Sequence, residues 1–353
     1  MRRMAREPEK FDVLDLFTAM SRSRGFKIGE PAAIEEFSQV MRESIQLVQE
    51  NRNILHGKRV EAMFAHVVGS LGACRLIKAE DTGEIFFDGD EIRVPDYRLI
   101  LKTGKTWLVE VKNCHIDSPR KSFVIKKRYF QQLDRYAELN QAELKFAVYF
   151  SRLNRWCLIS RRALRERGDK LECSVMSAIA KSEMAELGDC ILATLPNLQL
   201  ELTTGQGEAA TIDVDGTARL TIRKARILCA GNELKTQLEQ QIAFHFIRYG
   251  DWIEDDEPIM VNEKVQGIVY TSRPNEAAGD QPFSMIGQFS SMASTAYSEF
   301  TVVDRVPVAL DAPVDPDVFT LSIPQDYKSA TLPLWRFVLE PNWDFVDRAQ
   351  KQR

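Results

Sequence analysis

"VPDYRLILKTGKTWLVEVKN", residues 94–113, reads as two β-strands folded back on a tight turn, yet it sets Asp96, Glu110 and Lys112 among residues suited to a buried sheet. Side chains alternate faces along a strand, so Glu110 and Lys112 point one way while Trp107, Val109 and Val111 point the other. Asp96 and Glu110 are equidistant from Thr103. A three-residue loop of Lys102, Thr103 and Gly104, with the glycine left-handed, places Asp96 directly opposite Glu110. Opposed residues of an antiparallel pair share a face, so two carboxylates and an ammonium gather on one patch. Carboxylates that close repel each other. A divalent cation relieves the repulsion: Mg²⁺ takes one or two carboxylates together with waters and phosphate oxygens, and lowers the pKa of a bound water. A lysine beside it can orient or deprotonate that water, or neutralise charge developing on phosphorus.

Outward from the hairpin, "PAAIEEFSQVMRESIQLVQENR" (31–52) carries apolar residues at helical spacing. A break at "NILHG" and a second helix, "KRVEAMFAHVVGSLG", closed by Gly72, are expected next. Strand-like segments follow at 73–78, 84–88, 92–102 and 105–113. "SFVIKKRYFQQLDRYAELN" (122–140) reads as one long helix, then "LKFAVYFS" and "RWCLIS" as strands. A helix near 176–187 and a strand pair around 190–203 extend the pattern. This order predicts an α/β layered domain. The small, polar "TTGQGEAA" (203–210) suggests a boundary. The expected division is a helical extension over 1–55, a chemistry-bearing domain over 56–204 and a C-terminal α+β domain over 205–353. Within the last, a strand at 217–229 and a helix at 233–249 are expected, but no motif carries chemistry.

"PD", thirteen intervening residues and then "EVK" resemble the active-site signature of the PD-(D/E)xK nuclease superfamily, carried here by Pro95-Asp96 and Glu110-Val111-Lys112. Two further features fit. "GKRVEAMFAHVVGSLG" resembles the helix that often supplies another glutamate, here Glu61. "QLDRY" resembles the Q-x-x-x-Y of RecB-type members, with Gln132 and Tyr136 on one helix face. The resemblance covers roughly residues 57–160. It implies an α/β restriction-endonuclease-like core, a mixed β-sheet flanked by helices, and Mg²⁺-dependent phosphodiester hydrolysis, with Mn²⁺ able to substitute. It also implies Asp96, Glu110 and Glu61 as metal ligands, Lys112 acting on the water or the developing charge, and Gln132 and Tyr136 steadying the lysine or a phosphate. The implied substrate is nucleic acid, foremost DNA, in repair, recombination or defence against foreign DNA. Many nucleases of this fold pair to cut both strands, so a homodimer is the expected assembly. The rival reading keeps the fold for binding or sensing without cleavage.

The charge distribution agrees. The 353 residues carry a net charge of −4, but Arg98–Arg128 holds nine Lys or Arg against two acids, and Arg152–Lys170 seven against two. A polyanion feels charge within a Debye length, so the overall acidity excludes nothing. Arg120, Lys121, Lys126 and Lys127, between strand and helix, are expected to hold phosphates without reading sequence. Tyr129 and Phe130 read as helix core. Four scattered histidines and six cysteines without a C-x-x-C pair offer no zinc spacing, and point to a reducing cytoplasm. His115 could touch substrate, whereas Cys114 reads as a small buried hydrophobe. "GKT" at 104–106 is a turn, not a P-loop, and no G-x-S-x-G occurs. "MRRMAREPEK" reads as a polar tail rather than an export signal, and no apolar run is long enough to span a membrane.

Overall fold

A computed structural model describes residues 12–80, 83, 85–116, 118, 121–275, 279–304, 306–312, 321, 323–324 and 326–347. Helices α1 (Asp12–Arg24) and α2 (Pro31–Glu50) make a small cluster of their own around Phe17, Phe26, Ala33 and Phe37. Helix α3 (Arg52–Leu71) begins earlier than expected. The Asn51 side chain accepts from the Asn53 and Ile54 amides, so the chain turns at one residue and "NILHG" lies inside the helix. Gly72, at φ 79°, ends it.

The central sheet has the order β1 (Cys74–Ala79), β2 (Tyr97–Leu101), β3 (Thr106–Cys114), β5 (Glu143–Phe150), β6 (Arg155–Ser160). Strands β1, β2 and β3 form an antiparallel meander, β5 runs parallel to β3, and β6 returns antiparallel. This mixed sheet flanked by helices is the expected α/β class. The strand expected at 84–88 is absent at 85–88, and residue 84 lies outside the described residues. The long helix expected over 122–140 is two elements, strand β4 (Ser122–Lys126) and helix α4 (Lys127–Leu139). β4 pairs with β8 (Lys170–Ser174), which pairs with β7 (Arg165–Arg167). Phe123 and Ile125 alternate inward against Val124 and Lys126 outward, a strand period that overrode the helix-forming charges beyond it.

After α5 (Val175–Ala180), β9 (Ile191–Thr194) and β10 (Leu198–Thr204) enter different sheets instead of pairing with each other. β10 is central to a second antiparallel sheet with β11 (Ile222–Cys229), β12 (Asn232–Glu233), β13 (Trp252–Val261) and β14 (Lys264–Pro274). Helix α6 (Gln237–Tyr249) starts at a Thr236–Glu239 capping box. β9 lies between β15 (Ser284–Gln288) and β18 (Leu334–Phe337). Helix α7 (Phe289–Thr301) leads to the short pair β16 (Val302–Val303) and β17 (Val306–Pro307).

Two hydrophobic clusters sandwich the central sheet. One side holds Leu108, Phe146, Val148 and Phe150 under β4, β8 and the α4 residues Phe130, Leu133 and Ala137. The other joins Leu99, Trp107, Val109 and Trp156 to Phe64 and Val67 of α3 and to Phe246, Met292 and Tyr297 of the C-terminal half. Polar bonds cross that second layer. Buried Arg59 of α3 donates to Thr301 Oγ1 at 3.0 Å, His66 Nε2 lies 2.9 Å from Asp311 Oδ1, and Trp156 donates to Ser294 Oγ at 2.9 Å. Asp189, 3% exposed, accepts from the amide and hydroxyl of Ser290 and caps α7 from 101 residues upstream. Among the described residues no helix is long and apolar enough to cross a membrane.

Candidate active site

The β2–β3 turn has the expected three-residue loop. Leu101 N–H donates to the Lys105 carbonyl at 2.9 Å, Gly104 N–H donates to the Leu101 carbonyl at 2.9 Å, and Gly104 sits at φ 89°. Tyr97 opposes Val109, so continuing the register sets Asp96 across from Glu110. The Asp96 carboxylate accepts from the Val111 amide at 2.7 Å, which fixes its direction from the neighbouring strand's backbone. Glu110 and Lys112 share the face of β3 that carries Leu108, the side covered by α4. Glu110 is only 4% exposed.

Burial first, then the charges of Glu110 and Glu61, push the Asp96 carboxyl up to about 7, against the pull of the Val111 amide and Lys112. Burial works against the Lys112 ammonium, but Glu110 and the Tyr129 oxygen hold its pKa well above the ordinary lysine range. Lys112 donates both to Glu110 Oε1 and, at 3.0 Å, to the Tyr129 hydroxyl, whose own proton goes to the same Glu110 oxygen. The Arg93 guanidinium lies 4.8 Å from the centre of the Tyr129 ring, and Arg93 N–H donates to the Gln132 carbonyl at 3.0 Å. Lys58 reaches the same region from α3: burial opposes its charge, but Glu61, Asp96 and Glu110 raise its pKa.

Tyr129 therefore belongs to the site and not only to the helix core; Phe130 is core as expected, 5% exposed. Glu61 does not converge with the other two carboxylates. It stands on α3, across the sheet from α4, and Lys58 one turn away draws it at 2.6 Å. Among the described residues no three His, Cys, Asp or Glu side chains close on a point that could hold a metal ion. Gln132 and Tyr136 share a face as expected, but that face meets the segment ahead of Asp96. Gln132 donates to Glu91 at 2.7 Å and Tyr136 to Glu80 at 2.9 Å, so neither steadies Lys112.

Of the expected phosphate-binding residues, Arg120 lies outside the described residues. Lys121 and Lys126 are exposed, and Lys127 is paired with Glu166 at 2.7 Å. His115 bonds Ser151 and Arg152 at the far end of β3 rather than the carboxylates. Burial pushes the Cys114 thiol up to about 11, which leaves it protonated and poorly nucleophilic at neutral pH. The signal for Tyr129 was its place on the first turn of α4, but its reach depended on where β4 ends.

No family model matches the chain, and no curated protein matches it. Among solved structures it matches Hjc, a Holliday junction resolvase from Archaeoglobus fulgidus, with 17% identity and a TM-score of 0.24. That match covers 29% of this chain and 85% of the resolvase.

Proposed function

We propose that the protein is a Mg²⁺-dependent nuclease that hydrolyses phosphodiester bonds, with DNA as its substrate. The observation behind this reading is the buried pair Asp96–Glu110, opposed across β2 and β3, with the Lys112 ammonium beside it. The pair suits a hard cation: both groups are oxygen donors, Asp96 is held far above the usual carboxylate range, and Mg²⁺ needs no more than one or two protein carboxylates. Asp96 and Glu110 would hold the ion, and Glu61 would add negative charge near Asp96 from α3. When bound, the ion supplies a Lewis acid and a more acidic water.

The chain's own groups account for the rest of the chemistry. The net reaction adds water to phosphorus and breaks one P–O ester bond, with a proton ending on the departing oxygen. Lys112, held as an ammonium by Glu110 and Tyr129, suits charge neutralisation at the phosphate and orientation of the water better than proton abstraction. Asp96 cannot swing freely, because its carboxylate is tied to Val111.

The test is cleavage of plasmid and single-stranded DNA in Mg²⁺ by the wild-type protein, Asp96→Asn and Lys112→Ala. Each substitution is expected to lower the rate by at least about 10²-fold, the scale of a lost catalytic group, with cooperative melting retained. Wild-type cleavage in either purified variant, or binding without cleavage by the wild type, would refute the reading.

A further inference from the structure

The two basic stretches of the sequence, separated by 23 residues, meet on the outer face of the β4–β8–β7 sheet. Register pairs Lys126 with Lys170 and Lys170 with Arg167, so three cations stand in one row across three strands. The adjacent row is Val124, Glu172 and Arg165. Phe123, Ile125, Leu171 and Cys173 fill the opposite, buried face, which fixes the row outward. All three members of the row are exposed.

Like charges directly opposite on paired strands destabilise a sheet. Here the repulsion is scarcely relieved from within. Glu172 reaches Arg167 at 3.5 Å, while Glu166 is taken by Lys127 and Arg161 at the edge. Neither Lys126 nor Lys170 has an ion pair among the described residues. An ordinary solvated surface has no reason to align three cations across neighbouring strands, whereas a polyanion would convert the repulsion into attraction. Strand spacing makes the row about 10 Å long, comparable with roughly three phosphates along one nucleic-acid strand. Lys126 leads directly into α4, and Tyr129, one helical turn later, touches Glu110 and Lys112.

We propose that the Lys126–Lys170–Arg167 row is a docking surface for a phosphodiester backbone and holds a nucleic-acid strand beside the Asp96–Glu110–Lys112 site. The placement rests on the nuclease reading, but binding can be measured without cleavage. The 353-residue chain in EDTA is titrated, over a range of salt, with labelled duplex DNA, single-stranded DNA and single-stranded RNA of one sequence. K126S/R167S/K170S is expected to bind at least about tenfold more weakly, and to lower the slope of log affinity against log salt by about 2–3 on a duplex. A control triple on the second sheet and the segment leading into it, R219S/K224S/K264S, should bind like the wild type. K170E breaks up the row of like charge, so it should melt no lower than the wild type yet bind more weakly, an outcome that misfolding cannot mimic.

The oligonucleotide whose affinity falls most identifies the backbone form that the row takes. Unchanged affinity in K126S/R167S/K170S, equal losses in both triples, or no nucleic-acid binding by the wild type would overturn the docking surface. Cleavage by the wild type together with unchanged binding in the row variant overturns the row alone. Row-dependent binding without any cleavage in Mg²⁺ overturns the nuclease reading alone.

Discussion

The Tyr129 phenol has one proton and gives it to Glu110, while its oxygen accepts from the Lys112 ammonium. Any ligand that draws Glu110 away leaves that oxygen as the fixed acceptor for Lys112. Tyr129→Phe keeps the ring beneath Arg93 and removes both bonds. It is expected to lower kcat for DNA cleavage in Mg²⁺ roughly tenfold or more, with KM nearly unchanged, because the hydroxyl touches machinery and not the bulk of the substrate. A rise in KM at constant kcat would assign Tyr129 to substrate binding instead. Asp96, Glu110 and Lys112 were readable from sequence because strand periodicity alone decides which side chains share a face. For Gln132 and Tyr136 the reading stopped short of their partners: helix periodicity put them on one face but did not say which segment covers it. Glu80 and Glu91, distant in sequence, answer that question.

At the scale of elements, the β2–β3 hairpin rests on Gly104, whose φ of 89° is open to glycine and strained for other residues. A Cβ there would meet nothing within 4 Å, so Gly104→Ala imposes backbone strain without a clash. The expected loss is about 1–2 kcal/mol, seen as a lower urea midpoint. The residual register should keep Asp96 opposite Glu110, so cleavage at temperatures well below melting should persist. The hairpin was legible because its turn, alternation and loop length are all local. β4 was not, although "SFVIK" alternates, because its partner β8 lies beyond α4, β5, β6 and β7 in the chain. The charge-rich residues that follow it favoured a helix, and they do form one, five residues later than expected.

Over the whole molecule, buried groups in the C-terminal half link stability to pH. His245 on α6 is 7% exposed, and its Nε2 has no hydrogen-bond partner. Burial lowers its pKa from 6.5 to about 4. The folded protein then resists a proton that the unfolded chain accepts. Stability from this group is complete above pH 6.5, declines as pH falls toward 4, and declines no further below that, a loss on the order of 3 kcal/mol. His245→Phe keeps a buried ring and should narrow the difference between urea midpoints at pH 7.5 and 4.5. An unchanged difference would mean that other groups govern the acid response. This coupling was invisible in the sequence, where His245 was one of four scattered histidines without zinc spacing. The same holds for the core that α3 shares with α6 and α7, which only the assembled chain reveals.

Arg59 and Glu61 stand two residues apart on α3, and so project to nearly opposite sides of one rigid rod. One grips Thr301 at the end of α7; the other acts on Asp96. A rolling motion of that rod, started by a rearrangement around α7, would carry the outer carboxylate toward or away from the reacting centre. The half of the chain without a chemical motif is thereby joined, through one helix, to the carboxylate that faces Asp96.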